Sequence, residues 1–109
     1  MTSMEALPEI VTEHLAEVRA LCEKYRVKRL AIFGSAVKGT FDPEKSDLDF
    51  VVEFDDDVFG VEGWNAYFGL KFAFEDLLGR NVDLVEWKAV RNPYFRQVLE
   101  LTQRDLYAA

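Results

Sequence analysis

The sequence has one cysteine, one histidine and three prolines, and no apolar run long enough to span a membrane. A single cysteine excludes an internal disulfide and suits a reducing compartment. One Cys and one His are too few for a conventional zinc site, and any histidine-based triad would have to use His14. That residue falls on or beside the apolar stripe of a helix, where a packed or capping role is expected. Basic residues are scarce as well, 13 against 20 acidic, which leaves a net charge of −7. Such a chain repels nucleic acid and anionic membrane and favours a basic protein partner. Residues 1–10 lack a basic start and an apolar run, so no signal peptide is expected. The expectation is a soluble, cytoplasmic protein with 1–109 forming one domain, too short for a separate lid.

What is present is patterned. Apolar residues recur at three- and four-residue steps over residues 5–25 (Leu7, Val11, Leu15, Val18, Leu21, Cys22, Tyr25), which predicts one amphipathic helix. Val27 to Phe33 reads as a strand, buried on both faces after Arg29. A short helical turn at Ala36–Val37–Lys38 and an Asp42–Pro43 turn follow. The alternation over 47–54 predicts a second strand, with Leu48, Phe50, Val52 and Phe54 facing the core and Asp47, Asp49, Val51 and Glu53 facing away. Asp55, Asp56, Asp57 and Gly60 mark a surface loop. It misses the EF-hand pattern, because Phe59 and Ala66 stand at liganding positions. A helix is expected over 64–78, closed by Gly79. Its aromatics (Trp64, Tyr67, Phe68, Phe72, Phe74) exceed one core stripe, so either part of this helix or the adjacent acidic loop meets a basic helical partner, or all these rings pack into the domain core. A third, central strand is expected over 81–87. Asn92–Pro93 starts a last helix whose apolar face runs from Phe95 through Val98, Leu99 and Thr102 to Leu106. This order gives one compact α/β layer domain.

The chemistry concentrates at two places. Gly34–Ser35 closes the first strand with backbone N–H groups that suit a phosphate. Asp47 and Asp49, at i and i+2, project from one side of the next strand with Cα atoms roughly 6.6 Å apart, so both can converge on metal. Asp83 is flanked by Val82, Leu84 and Val85; on a central strand its charge would be costly without a partner, and a metal shared with Asp47 and Asp49 would supply one. Glu53 lies six residues past Asp47, too far to join. Lys38, Lys45 and Arg80 are candidates for neutralising phosphate, although exposure is the ordinary fate of such side chains. Cys22 is most simply core.

The runs 33–39 (FGSAVKG), 46–52 (SDLDFVV) and 79–85 (GRNVDLV) together resemble the minimal nucleotidyltransferase family of the polymerase-beta-like superfamily, and the closing LYAA resembles that family's usual ending. The resemblance spans nearly the whole chain. It implies an α/β (α+β) nucleotidyltransferase fold, a small mixed sheet packed against helices. It also implies ATP bound at Gly34, Ser35, Lys38 and Ser46. Magnesium would be held by Asp47 and Asp49, joined by Asp83, with Asp83 helping to deprotonate the attacking hydroxyl. Two departures from the family pattern stand out: eleven residues separate Ser35 from Asp47, one more than the commonest spacing, and Lys38 stands where arginine is frequent, without the bidentate fork.

Proteins of this kind are commonly antitoxins paired with an all-helical HEPN-domain toxin, and some transfer AMP to a toxin tyrosine. The resemblance therefore implies a magnesium-dependent adenylyltransferase acting on a HEPN partner, in a homo- or hetero-oligomer. The alternative is an antitoxin that neutralises by binding alone. Retention of all three carboxylates and the Gly–Ser turn favours the enzyme. Modification of a small molecule such as an aminoglycoside would call for an extra domain to build the acceptor pocket.

Overall fold

The strand Val27–Phe33 (β1) is the seam of the molecule. Leu30, Ala31 and Ile32 are buried on both its faces, as an uninterrupted apolar run requires. The computed structural model describes residues 7–109, and its elements in chain order are α1 (Glu9–Thr12), α2 (Leu15–Lys24), β1, α3 (Ser35–Lys38), β2 (Leu48–Phe54), α4 (Gly60–Leu78), β3 (Val82–Glu86), α5 (Pro93–Thr102) and β4 (Arg104–Ala108), with a 3₁₀ turn at Trp87–Ala89. The sheet order is β3-β2-β1-β4. β1 is antiparallel to both β2 and β4, while β2 and β3 run parallel. The mixed sheet packed against helices is the one the sequence implied.

Alternation decides the two faces. Leu48, Phe50, Val52 and Phe54 turn towards α2 and α4, where they join Val18, Cys22, Leu70, Phe74 and Leu78 in the larger core. Phe50 and Phe74 meet with ring centroids 5.3 Å apart. Ala31 and Val51 turn the other way and are covered by Val90 and by Leu99 of α5. α2 and α4 approach closely because position 69 is glycine: a Cβ there would stand 2.5 Å from the Tyr25 ring. Burial lifts the thiol of Cys22 to about 12, so this cysteine is an inert core residue.

Several expectations are corrected. The continuous first helix is two pieces: His14 Nδ1 lies 2.8 Å from the Ile10 carbonyl, and the His14 N–H turns to Val11, three residues back. The side chain occupies the acceptor that a continuing helix needs. Glu5 lies outside the described residues. α4 begins four residues earlier than expected, at Gly60, so two glycines (Gly60 and Gly63) sit inside a helix despite their low propensity. The last helix ends at Thr102, whose hydroxyl donates to Val98 O, and Leu106 belongs instead to β4. β3 is an edge strand rather than a central one, and Asp83 is exposed. Its charge therefore carries no burial cost, and the reasoning that Asp83 needs a partner because it is buried falls. Among the described residues, no helix is long and apolar enough to cross a membrane.

Phe74→Ala should cost about 3–5 kcal/mol, since it empties a buried ring site against Phe50. Against a total stability of about 5–15 kcal/mol this is severe. Urea denaturation should show the loss as a lower midpoint at unchanged slope.

Candidate active site

The register of β1 on β2 sets Phe33 opposite Asp49, and the register of β2 on β3 sets Asp49 beside Asp83. All three side chains therefore share the face that α5 partly covers. Asp47 precedes β2 and is exposed, whereas Asp49 is half-buried at the rim of the smaller core. Burial raises the Asp49 carboxyl above the ordinary carboxylate range, and the neighbouring charges of Asp83 and then Asp47 raise it further. The three aspartates that the sequence singled out are thus electrostatic neighbours.

Gly34 seats its backbone directly against this group. Its φ of 77° and ψ of −144° lie where side chains are rarely tolerated. A Cβ there would collide with Oδ2 of Asp49 and stand 3.2 Å from its Cγ. Both constraints demand glycine. The Gly34 carbonyl accepts from the N–H groups of Val37 and Lys38 at 3.0 and 3.1 Å, closing the single turn of α3. The amides of Ser35 and Ala36 fall in that first turn, where helical amides have no partner within the helix. The phosphate-suited turn and the carboxylates are therefore contiguous.

The stretch between Ser35 and Asp47 ends in a self-bonded loop. Ser46 Oγ accepts from Asp42 N–H at 2.9 Å, and Asp42 Oδ1 accepts from Glu44 N–H at 2.9 Å. Arg80 clamps the loop: its guanidinium donates to the carbonyls of Ser46 (3.2 Å) and Pro43 (2.9 Å) and lies 5.1 Å from the Phe41 ring centroid. That engagement gives Arg80 a loop-holding role. Lys38 and Lys45 are exposed. The acidic loop is tied within the chain, Asp57 to Arg26 and Asp56 to Lys88 at 2.9 Å.

Sequence reasoning missed an aromatic wall. Phe33 and Phe95 meet edge to face, centroids 6.2 Å apart, and Phe95 stays partly exposed. Phe33 was legible only as the last strand residue, because its neighbourhood to Asp49 depends on a register that no local pattern encodes.

Among the described residues, no three His, Cys, Asp or Glu side chains are grouped closely enough to form a metal cage of their own. A magnesium-type cation needs none, since it takes one or two carboxylates and completes its shell with phosphates and water. Hard oxygen donors and an uncompensated cluster of negative charge around Asp49 fit such an ion.

A nucleotidyltransferase domain model matches residues 18–103. A chain of Methanocaldococcus jannaschii provisionally named a protein adenylyltransferase is 35% identical over 100 residues, covering 92% of this chain and 94% of the relative. A solved structure provisionally described as a minimal nucleotidyltransferase superposes with a TM-score of 0.74 at 29% identity, covering 88% of this chain and 92% of that one. The fold also matches, at a TM-score of 0.62 and 18% identity, a structure described as a tri-AMPylated Shewanella oneidensis HEPN toxin in complex with MNT antitoxin, over 90% of this chain and 72% of that one.

The raised Asp49 carboxyl carries a signed consequence. Between its unfolded and folded pKa values the native state binds the extra proton, so stability falls as pH rises through that window and stays reduced above it. Asp49→Asn should therefore melt above the wild type in metal-free buffer at pH 7. The gap should close as pH falls below the carboxylate range, as calorimetry at several pH values can check.

Proposed function

This chain belongs to the nucleotidyltransferase domain family, and from that premise we propose that it transfers AMP from ATP to a hydroxyl, that of a tyrosine, on a HEPN-domain partner, and that it serves as an antitoxin. The observation that carries this reading is the contact between the Gly34 backbone and the carboxylate of Asp49, with Asp83 beside it. A phosphate cradle and an acidic cluster meet at one point. Two of the relatives support the substrate class, one named as a protein adenylyltransferase and one seen as an antitoxin with an AMPylated HEPN toxin.

In this reading Gly34 and Ser35 receive the triphosphate through backbone N–H groups, with Lys38 and Ser46 at the margins of that cradle. Ser46 accepts from Asp42 and keeps its own hydroxyl proton available to donate. Asp47 and Asp49 would hold magnesium, joined by Asp83. When bound, the ion would draw phosphate oxygens together and offset the charge that develops on them. Asp83, exposed on the edge strand, faces the acceptor side and takes the hydroxyl proton. The acceptor oxygen bonds to the α-phosphorus as the bond to the bridging oxygen breaks, and pyrophosphate leaves. Phe33 and Phe95 offer an aromatic wall against which a planar ring can rest.

Asp47→Asn and Asp49→Asn should each remove transfer, because each deletes a metal-binding charge at constant shape. Asp83→Asn should keep near-normal binding of a non-hydrolysable ATP analogue with magnesium and lose on the order of a hundredfold in transfer rate. Labelled ATP, magnesium and the product of the neighbouring gene form the assay. Wild-type rates in either metal-site variant would sink the assignment. Equal losses of binding and rate in Asp83→Asn would make that residue a metal ligand alone.

A further inference from the structure

Away from the core, Trp64, Phe68 and Phe72 stand one turn apart on α4 and stack into a ridge, with centroids 5.2 and 6.0 Å apart. Trp64 is 68% exposed and Phe72 56%, and Phe59 and Val61 extend the apolar surface past the start of the helix at 73% and 77%. Only Phe74, of the aromatics noted in the sequence, is fully buried. At the Trp64 end a cleft of about 580 Å³ opens between the 55–59 loop, α4 and the end of β3. Phe59, Trp64, Tyr67 and Phe68 contribute its aromatic lining; Asp55, Asp56 and Glu86 bring carboxylates. Lys88 is occupied by Asp56, while no ion pair forms at Asp55 or Glu86 among the described residues. Aromatic walls with unpaired carboxylates suit an inserted ammonium or guanidinium.

The ridge runs beside the edge strand β3, three of whose backbone groups are engaged by side chains of α4. Lys71 Nζ donates to Val82 O at 2.9 Å, Glu75 accepts from Val82 N–H at 3.1 Å, and the Tyr67 hydroxyl donates to Leu84 O. An added strand would find these groups engaged, so contact has to come through side chains. A second copy of this chain is disfavoured by charge, since each copy carries −7 and the exposed Asp76 stands one turn beyond Phe72 on the ridge. β3 turns Val82 and Leu84 towards the core beneath α4 and presents Asp83 on its other face.

We propose that this ridge and cleft are the docking surface for the acceptor protein. Its occupant is an amphipathic helix that lays an apolar stripe on Trp64, Phe68 and Phe72 and inserts an arginine or lysine into the cleft. The inference rests on the reading of this chain as a protein-modifying transferase.

The test is titration of the product of the neighbouring gene into wild type, Trp64→Ala, Phe72→Glu and Asp49→Asn, with far-UV circular dichroism to verify each fold. Both ridge positions are exposed, so these variants should stay folded. Each ridge variant should weaken binding on the order of thirtyfold or more. Asp49→Asn should bind as wild type does, and wild-type affinity should fall as salt rises. Unchanged affinity in both ridge variants, or no complex with wild type, overturns the docking proposal. Ridge-dependent binding without any AMP transfer would leave the docking surface standing and sink the transferase reading instead.

Discussion

The antiparallel pairing of β1 with β2 is the constraint from which the rest of the site follows. It places the turn after Phe33 against Asp49, so that Gly34 and Asp49, fifteen apart in sequence, come into contact. A slip of one residue would turn Asp49 into the larger core and Phe50 out of it. Phe50 prevents that slip, because it is fully buried against Phe74 and has no equivalent seat on the other face. Apolar packing on one side of the sheet thus holds the polar chemistry on the other. The parallel β2–β3 pairing extends the same logic by one strand, bringing Asp83 alongside Asp49.

A four-stranded sheet has two edges, and here helix side chains engage backbone groups on both. Lys71, Glu75 and Tyr67 of α4 serve β3, and Arg19 of α2 donates to the Leu106 carbonyl of β4 at 3.0 Å. The groups that would recruit another chain by strand addition are partly satisfied from within. Arg29 and Asp105 reinforce the β1–β4 edge with a bidentate pair across the strands. Surface pairs of this kind contribute little stability, so their value lies in register.

Strands with one or both faces buried were legible in the sequence, because period-two alternation and apolar runs report burial directly. β1 matches residue for residue, and β2 differs by one residue at its start. The helix start at Asn92 was equally readable: its side chain accepts from Tyr94 and Phe95 N–H, the work expected of an Asn cap before proline. β4 was not readable, since Arg104, Asp105 and Ala108 carry no alternation and Leu106 continues the helical spacing of α5. Only pairing with β1 makes it a strand. The edge position of β3 was likewise hidden, because a half-covered edge strand and a central one can share the pattern Val-Asp-Leu-Val. The family resemblance named the three aspartates from local motifs, but not the Phe33–Phe95 wall or the grip of Arg80 on the 41–46 loop, which depend on tertiary register.

The acidic balance of the chain is distributed unevenly, and the unevenness marks the site. Asp57 is paired with Arg26, Asp105 with Arg29, Asp56 with Lys88 and Glu75 with Lys71. Glu75, bonded by the Val82 N–H and then Lys71, and Asp56, bonded by Lys88, are both held below the ordinary carboxylate range. Asp49 moves the opposite way, raised by burial and by two more aspartates. These four carboxylates have basic partners, whereas the cluster beside the Gly34 backbone meets only further negative charge. A local conflict of that kind, kept within an otherwise consistent structure, is the expected mark of a functional site. In the proposed function a divalent cation would resolve that conflict, and a triphosphate would bring such a cation with it.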